Sequence, residues 1–235
     1  MTYSRVAKAV FLRRPNRFIA QVEVNGKEET VHVKNTGRCK ELLVPGCTVY
    51  LSVSDNPLRK TKYDLVAVEK IREGREPLLV NMDSQLPNDV VEEWLQRGEL
   101  FQSGALIRRE VTYGDSRFDF YIEDGDRKAY LEVKGCTLED HGHSTFPDAP
   151  TERGVKHIQE LMKAVGEGYS AYILFVIQME GMVSFSPNWK THPAFGEALI
   201  KAKEKGVNVL AYESHVTPDS VTITSPIPVL LRHPQ

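Results

Sequence analysis

A chain of 235 residues with 41% hydrophobic and 26% charged residues has the composition of a folded globular protein, which argues against disorder. Its net charge of −2 lacks the strong overall basicity usual in nonspecific nucleic-acid binders, but the charge is unevenly divided. Residues 1–80 hold 15 Lys and Arg against 9 Asp and Glu, and the remainder 15 against 23, which suggests two units with different partners.

The N-terminal stretch MTYSRVAKAVFLRR has no long apolar run ending in a cleavage site, so no secretion signal is expected. AYILFVI (171–177) is the longest strongly apolar run and is too short to span a bilayer. The cysteines Cys39, Cys47 and Cys136 are scattered without a CxxC and read as thiols of a reducing cytoplasm. A cytoplasmic chain with no membrane partner is therefore expected.

The first elements in chain order read as strands. Phe18, Ala20, Val22 and Val24 alternate in RFIAQVEV, and Asn25-Gly26 then supplies a tight hairpin turn. TVHVK, TVYLSVS after Pro45-Gly46, and LVAVEKI continue the pattern. Short strands between turn signals predict a small OB-like barrel over residues 1–81. Arg13, Arg14, Arg17, Lys34, Arg38, Arg59, Lys60 and Lys62 are placed in its loops as a nucleic-acid-binding set. Tyr3, Phe11 and Phe18 are available for base stacking, or they fill the barrel core. Asn35 and Thr36 are expected to make a loop contact, to the second domain or to DNA.

Residues 82–235 change rhythm. NDVVEEWLQRG (88–98) predicts a helix with Asn88 as its N-cap and Gly98 as its stop. TERGVKHIQELMKAVGEG (151–168) predicts a longer one, capped by Thr151, with Val155, Ile158, Leu161, Met162 and Val165 as its apolar stripe. SAYILFVIQ is apolar on both faces and reads as a central strand. Helix PAFGEALIKAKEKG, with its terminal lysines, leads to strand VNVLAYES, so these two strands should be parallel. There is no internal repeat or low-complexity segment. The fold class is α/β, of the α+β kind, in two domains. A small OB-like barrel precedes a mixed sheet flanked by helices.

Between those helices lies a hairpin, SRFDFYIEDGDRKAYLEVKGC, with Asp124-Gly125 at its turn. Alternation puts Arg117, Asp119 and Tyr121 on one face of the first strand, and Tyr130, Glu132 and Lys134 on the same face of the second. A hairpin closed at 122 and 129 sets the register i + j = 251 and brings Asp119 opposite Glu132, with Cβ atoms about 5 Å apart. Two carboxylates that close repel unless a cation lies between them, and a hard divalent ion suits oxygen ligands. The candidate metal ligands are Asp119, Glu132, the carbonyl of Val133, and Glu110 from RREVTYG. Mg²⁺ or Mn²⁺ is the expected cofactor. With a metal present, Asp119, Glu132 and Lys134 form a catalytic set for phosphodiester hydrolysis, with Arg117 holding a substrate phosphate. The alternative is a solvated face on which these charges form cross-strand ion pairs.

Asp119 followed by Glu132-Val133-Lys134 resembles the PD-(D/E)xK nuclease superfamily, with Phe118 where the superfamily's name has Pro. NTGR (35–38), SRFDF (116–120), LEVKGCTL (131–138) and FPDAPTERGVKHIQEL (146–161) resemble the sugar fermentation stimulation protein family over essentially the whole chain. The resemblance implies an N-terminal OB-like domain, a nuclease-like second domain, and DNA binding without strong sequence preference. It also implies a regulatory role in maltose or other sugar utilisation. By the same analogy, Asp119 and Glu132 bind metal and Lys134 assists catalysis.

Other features point less sharply. Arg153 and His157 flank the apolar stripe of the long helix, where they reach a phosphate or form a polar edge. Asp140, His141 and His143 are a weak transition-metal cluster without partner spacing. No phosphate-cradling glycine loop is present, so no nucleotide cofactor is expected. The expected partner is DNA, with RNA kept open. The function is a metal-dependent nuclease or a non-catalytic DNA-binding regulator.

Overall fold

The computed structural model describes residues 1–35 and 37–233. Two compact units are present: Met1–Leu86 with Gln178–Glu180 and Ser214–Thr222, and Pro87–Ile177 with Gly181–Glu213 and Ile223–Gln235. Each unit therefore takes three segments, where the sequence suggested a single cut at 81/82. Alternation locates a strand but does not say which core its end will join.

The first unit holds β1 (Val6–Asn16), β2 (Ile19–Val24), β3 (Lys27–Val33), β4 (Thr48–Val53), β5 (Tyr63–Lys70) and β6 (Leu78–Asn81). They pair in the order β3-β2-β1-β4-β5-β6, and a parallel contact between β3 and β5 closes the first five into a barrel. Asn25 and Gly26 take φ values of 51° and 75°, the turn conformation that the β2–β3 hairpin needs. Ala20, Val22, Val31, Val49, Leu51 and Leu65 are fully buried, or nearly so, inside.

The longest strand of this unit, β1, was not among the expected strands. Its second half runs through Arg13-Arg14-Pro15, and its register with β2 shifts between Phe11, Arg13 and Asn16. Such irregularity hides a strand from a strict period-2 reading. Arg13 and Arg14 accordingly lie on a strand and not in a loop. Tyr3 and Phe11 are core, whereas Phe18 is exposed, outside β2, in a turn where the Asn16 carboxamide accepts from the Phe18 and Ile19 amides.

Residues from the C-terminal part complete this unit. Thr2 pairs with Ser220, the Tyr3 amide donates to the Asp219 carbonyl at 2.7 Å, and the Met1 ammonium donates to the Val221 carbonyl at 3.1 Å. Gln178 Nε2 donates to the Asn81 side chain and to the Asp83 carbonyl. The buried Asp83 carboxylate takes Lys34 at 2.7 Å and the Tyr3 hydroxyl at 3.1 Å.

The second unit is built on α1 (Leu86–Gln96), β7 (Leu106–Tyr113), β8 (Ser116–Asp124), β9 (Arg127–Cys136), β10 (Leu138–Asp140), β11 (His143–Phe146), α2 (Glu152–Gly166), β12 (Ser170–Ile177), β13 (Ser184–Pro187), α3 (Pro193–Glu204), β14 (Asn208–Val216) and β15 (Val221–Pro226). Its main sheet has the order β15-β14-β12-β9-β8-β7. β12 is parallel to both β9 and β14, and β8 is antiparallel to β7 and β9. The sheet is mixed, with β12 central and wholly buried after Ser170. A small sheet, β10-β11-β13, was not expected. Its strands are only three or four residues long and carry little periodicity. It turns DHGH into a hairpin, with His141 and Gly142 at φ 48° and 86°, exposed Asp140 and His141, and His143 Nδ1 against Ser184 Oγ at 2.8 Å.

Helix α2 is capped as its sequence suggests, Thr151 Oγ1 accepting from the Gly154 amide at 3.1 Å. Its buried face is Gly154, His157, Ile158, Glu160, Leu161 and Ala164, while Val155, Met162 and Val165 are half-buried. The face is thus rotated toward His157, because a hydrophobic count cannot credit a buried histidine. Helix α3 carries Gly196 beneath Trp189, and a Cβ there would lie 2.6 Å from two ring atoms. Gly196→Ala is expected to lose about 1–3 kcal/mol in urea unfolding despite the higher helix propensity of alanine.

Candidate metal centre

The β8–β9 hairpin turns at Gly125, φ 60°, and keeps the register i + j = 251 from Asp124↔Arg127 to Phe120↔Leu131. There the two strands part. β9 continues beside β12, with Glu132, Val133 and Lys134 level with Ile173, Leu174 and Phe175. β8 continues beside β7, with Phe118, Arg117 and Ser116 level with Val111, Thr112 and Tyr113. Asp119 sits in the fork and has no register partner on either strand. Its carboxylate takes over the missing ladder contact. Asp119 Oδ2 accepts the Val133 amide at 2.7 Å, and Oδ1 accepts Asn88 Nδ2 at 2.9 Å.

Asn88 therefore does not cap α1. The helix starts two residues earlier, at Leu86, and its first turn aims Asn88 at Asp119. Pro87 was the available signal, since proline favours the first helical turn.

Glu132 is 2% exposed. Its Oε1 receives Lys134 Nζ at 2.5 Å and His157 Nδ1 at 2.5 Å, and its Oε2 is buried with no hydrogen-bond partner. His157, 6% exposed, also accepts from Arg153 Nε at 3.3 Å through Nε2. The tautomer with its proton on Nδ1 satisfies both contacts. The ion-pair alternative holds for Arg117, which is exposed and pairs with Glu110, but Glu132 pairs with Lys134 out of solvent. Of the two carboxylates, one is enclosed by helix α2 and the other is half-buried.

The electrostatics are opposed at the two acids. Burial, followed by the charge of Glu132, pushes Asp119 up to about 6 against the pull of the Val133 amide, Lys134 and Asn88. Burial also pushes Glu132 upward, but His157 and Lys134 outweigh it and hold that carboxyl below the usual range. An ionised, buried oxygen without a donor, next to an acid that its neighbour's charge makes hard to ionise, fits a cation. Asp119, Glu132 and the Val133 carbonyl are the groups that would hold it. Among the described residues no set of three or more His, Cys, Asp or Glu is gathered as a ready cage. Two carboxylates nonetheless suit Mg²⁺, which keeps much of its own water.

Glu110 is exposed and takes Arg117 Nε at 2.7 Å, so these two expected site residues engage each other. Glu110 lies between the paired positions Arg109↔Phe120 and Val111↔Phe118, at φ 56°. Cys136, two residues after Lys134, is wholly buried, and its thiol is pushed up to about 12 by burial, far from reactive.

In the first unit several basic residues serve the fold. Arg14 donates to the carbonyls of Arg17, Asn35, Gly37 and Arg38. Arg13 pairs with Glu28, Lys34 with Asp83, and Arg59 forks onto Asp64 at 2.6 and 2.7 Å. Arg17, over the exposed Phe18 ring at 5.8 Å, and Arg38, Lys60 and Lys62 have no carboxylate partner among the described residues. Asn35 binds the Met82 carbonyl and the Gly37 amide, and Thr36 lies outside the described residues.

Comparison with known proteins supplies the wider frame. The family model of the sugar fermentation stimulation protein RE domain matches residues 85–220, and that of the SfsA N-terminal OB domain matches 12–75. A sugar fermentation stimulation protein homolog of Desulfitobacterium hafniense (strain DSM 10664 / DCB-2) is 56% identical over 94% of each chain. One of Clostridium beijerinckii is 52% identical over 98% of this chain and 100% of its own. The structure of Pyrococcus furiosus SfsA in complex with Ca²⁺ superposes with a TM-score of 0.82 at 29% identity, over 98% of both chains. With both halves matched and full-length relatives above 50% identity, the chain belongs to the sugar fermentation stimulation protein family.

Proposed function

We propose that this chain is a divalent-metal-dependent phosphodiesterase acting on DNA, with Asp119, Glu132 and Lys134 as its working residues. The observation that carries the reading is the fork between β8 and β9, which collects two carboxylates, one ammonium and the unpartnered Oε2 of Glu132. The relative from Pyrococcus furiosus is described in complex with Ca²⁺, another hard cation with oxygen ligands. When bound, the metal supplies a lowered pKa for water and electrostatic relief for the reacting phosphate. Asp119 and Glu132 would hold it, while Asn88 and the Val133 amide fix the Asp119 carboxylate and His157 fixes Glu132. The Lys134 ammonium, held beside Glu132, would offset the charge that develops on the phosphoryl oxygens. Arg17, Arg38, Lys60, Lys62 and the exposed Phe18 are the remaining first-unit groups suited to a nucleic-acid strand.

A second reading, a non-catalytic DNA-binding regulator of sugar utilisation, is favoured by one observation. Oε1 of Glu132 is already occupied by both Lys134 and His157. The test uses supercoiled plasmid, single-stranded DNA and RNA with Mg²⁺, Mn²⁺ or EDTA, comparing the parent with Asp119→Ala. Cutting by the parent in metal, lost in EDTA and in the variant, supports the enzyme. DNA retention by both proteins with no cutting of any substrate favours the regulator.

A further inference from the structure

His157, which holds Glu132 through Nδ1, also lines an open pocket of about 480 Å³. It is lined by Thr112 and Gly114 to Arg117 from the β7–β8 hairpin, and by Arg153, Lys156 and His157 from α2. Three of these side chains are cationic and one, Asp115, is acidic. Glu110 balances Arg117, and Arg153 and Lys156 outnumber the one remaining acid, Asp115, so the pocket keeps a net positive charge. Arg153 spends only its Nε, on His157, and its two terminal amino groups have no partner among the described residues. Lys156 Nζ donates to the Asp115 carbonyl at 3.1 Å and keeps two donors. Ser116, 6% exposed, adds a buried hydroxyl with no hydrogen-bond partner.

Resting on the phosphodiesterase reading, we infer that this pocket binds a second phosphate of the nucleic-acid strand, next to the one that reacts at the carboxylates. A planar guanidinium, an ammonium and a hydroxyl on two elements match the several oxygens of one phosphate better than a single carboxylate. His157 joins the pocket to the metal centre. The imidazole that lines the pocket is the one that holds Glu132, and Arg153 fixes its tautomer from the pocket side. Arg153 is thus both a phosphate ligand and a positioning residue for Glu132. The bound phosphate is either an internal phosphodiester or the phosphomonoester of a strand end, and the same chemistry serves both.

The experiment titrates the isotopically labelled full chain in EDTA with the dinucleotides TpT and pTpT, following backbone amide shifts. The expected result is saturable shifts at residues 114–117 and 153–157, weakened about tenfold in both Arg153→Gln and Lys156→Gln, each of which removes a charge-assisted contact. Equal affinity for TpT and pTpT assigns an internal phosphate, and clearly tighter pTpT assigns a strand end. Shifts confined to other residues, or variants that titrate like the parent, overturn the proposal. Because no metal is present, the outcome is separate from cleavage. A pocket that binds pTpT in a chain that cuts nothing keeps this inference and removes the nuclease, and cutting without such binding does the reverse.

Discussion

On the proposed phosphodiesterase reading, Lys134→Met is expected to slow metal-dependent cleavage about 100- to 1,000-fold while Mn²⁺ binds as tightly as before, or more tightly. Both parts follow from one contact. Lys134 Nζ lies 2.5 Å from Oε1 of Glu132 and neutralises a buried carboxylate, so it competes with any cation for that oxygen. Methionine keeps most of the side-chain volume and removes the charge, leaving Glu132 with His157 alone. The competition disappears and metal affinity holds or rises. The ammonium proposed to face the developing phosphoryl charge disappears as well, and the rate is expected to fall. Single-turnover cleavage beside calorimetric Mn²⁺ titration separates the two. Loss of Mn²⁺ binding in Lys134→Met would show that the lysine supports the site rather than the chemistry.

Asp119→Asn carries the second large effect, on stability, with a sign opposite to that of most changes at a half-buried residue. The folded carboxyl sits at about 6, above the 3.8 expected when unfolded, so the folded state holds the proton more tightly. Stability from that proton is complete below about pH 4 and is lost as pH rises through about 6. Above pH 6 the parent carries the cost of a desolvated charge beside Glu132. Asparagine has no such cost, and it still offers a carbonyl to the Val133 amide while Asn88 turns its own amide to match. The variant should therefore be more stable than the parent by about 1–3 kcal/mol at pH 8 and no more stable at pH 4. Urea unfolding across pH 4–8 measures it, and a difference that ignores pH would refute the cause. Saturating Mn²⁺ should close the gap at pH 8, because it stabilises only the chain that binds it.

These two residues show how far pattern reasoning reaches. The Asp124-Gly125 turn fixes a register, and the pairs from Asp124↔Arg127 to Phe120↔Leu131 follow it. Period 2 cannot say where a ladder stops. Neither strand's alternation marks Asp119 as the parting point, and β9 keeps β12 as its other neighbour on both sides of it, from Ala129 to Cys136. His157 was legible as a polar helix flank, yet its burial against Glu132 required knowing that α2 lies over that fork. The OB-like barrel was legible from its turns, except β1, whose bulges and arginines break the alternation. The basic residues of the first unit were legible as charge but not as structure. Arg14 and Arg59 look identical in sequence to cations awaiting phosphate, and both are consumed by carbonyls or by Asp64.

The pairing of Thr2 with Ser220 sets a schedule for synthesis. A ribosome adding 5–20 residues each second exposes the barrel strands early, but the residues that complete this unit emerge on the order of ten to forty seconds after the first ones. During that interval the Asn81 side-chain oxygen and the Asp83 carbonyl await Gln178, the Tyr3 amide awaits the Asp219 carbonyl, and the early barrel depends on its five closed strands. Truncations that spare residues 1–86 but stop before 178 or 214 should therefore yield a barrel open to proteolysis at Tyr3 and near Asn81. For this protein, a deletion near the C-terminal end is a lesion in the N-terminal domain.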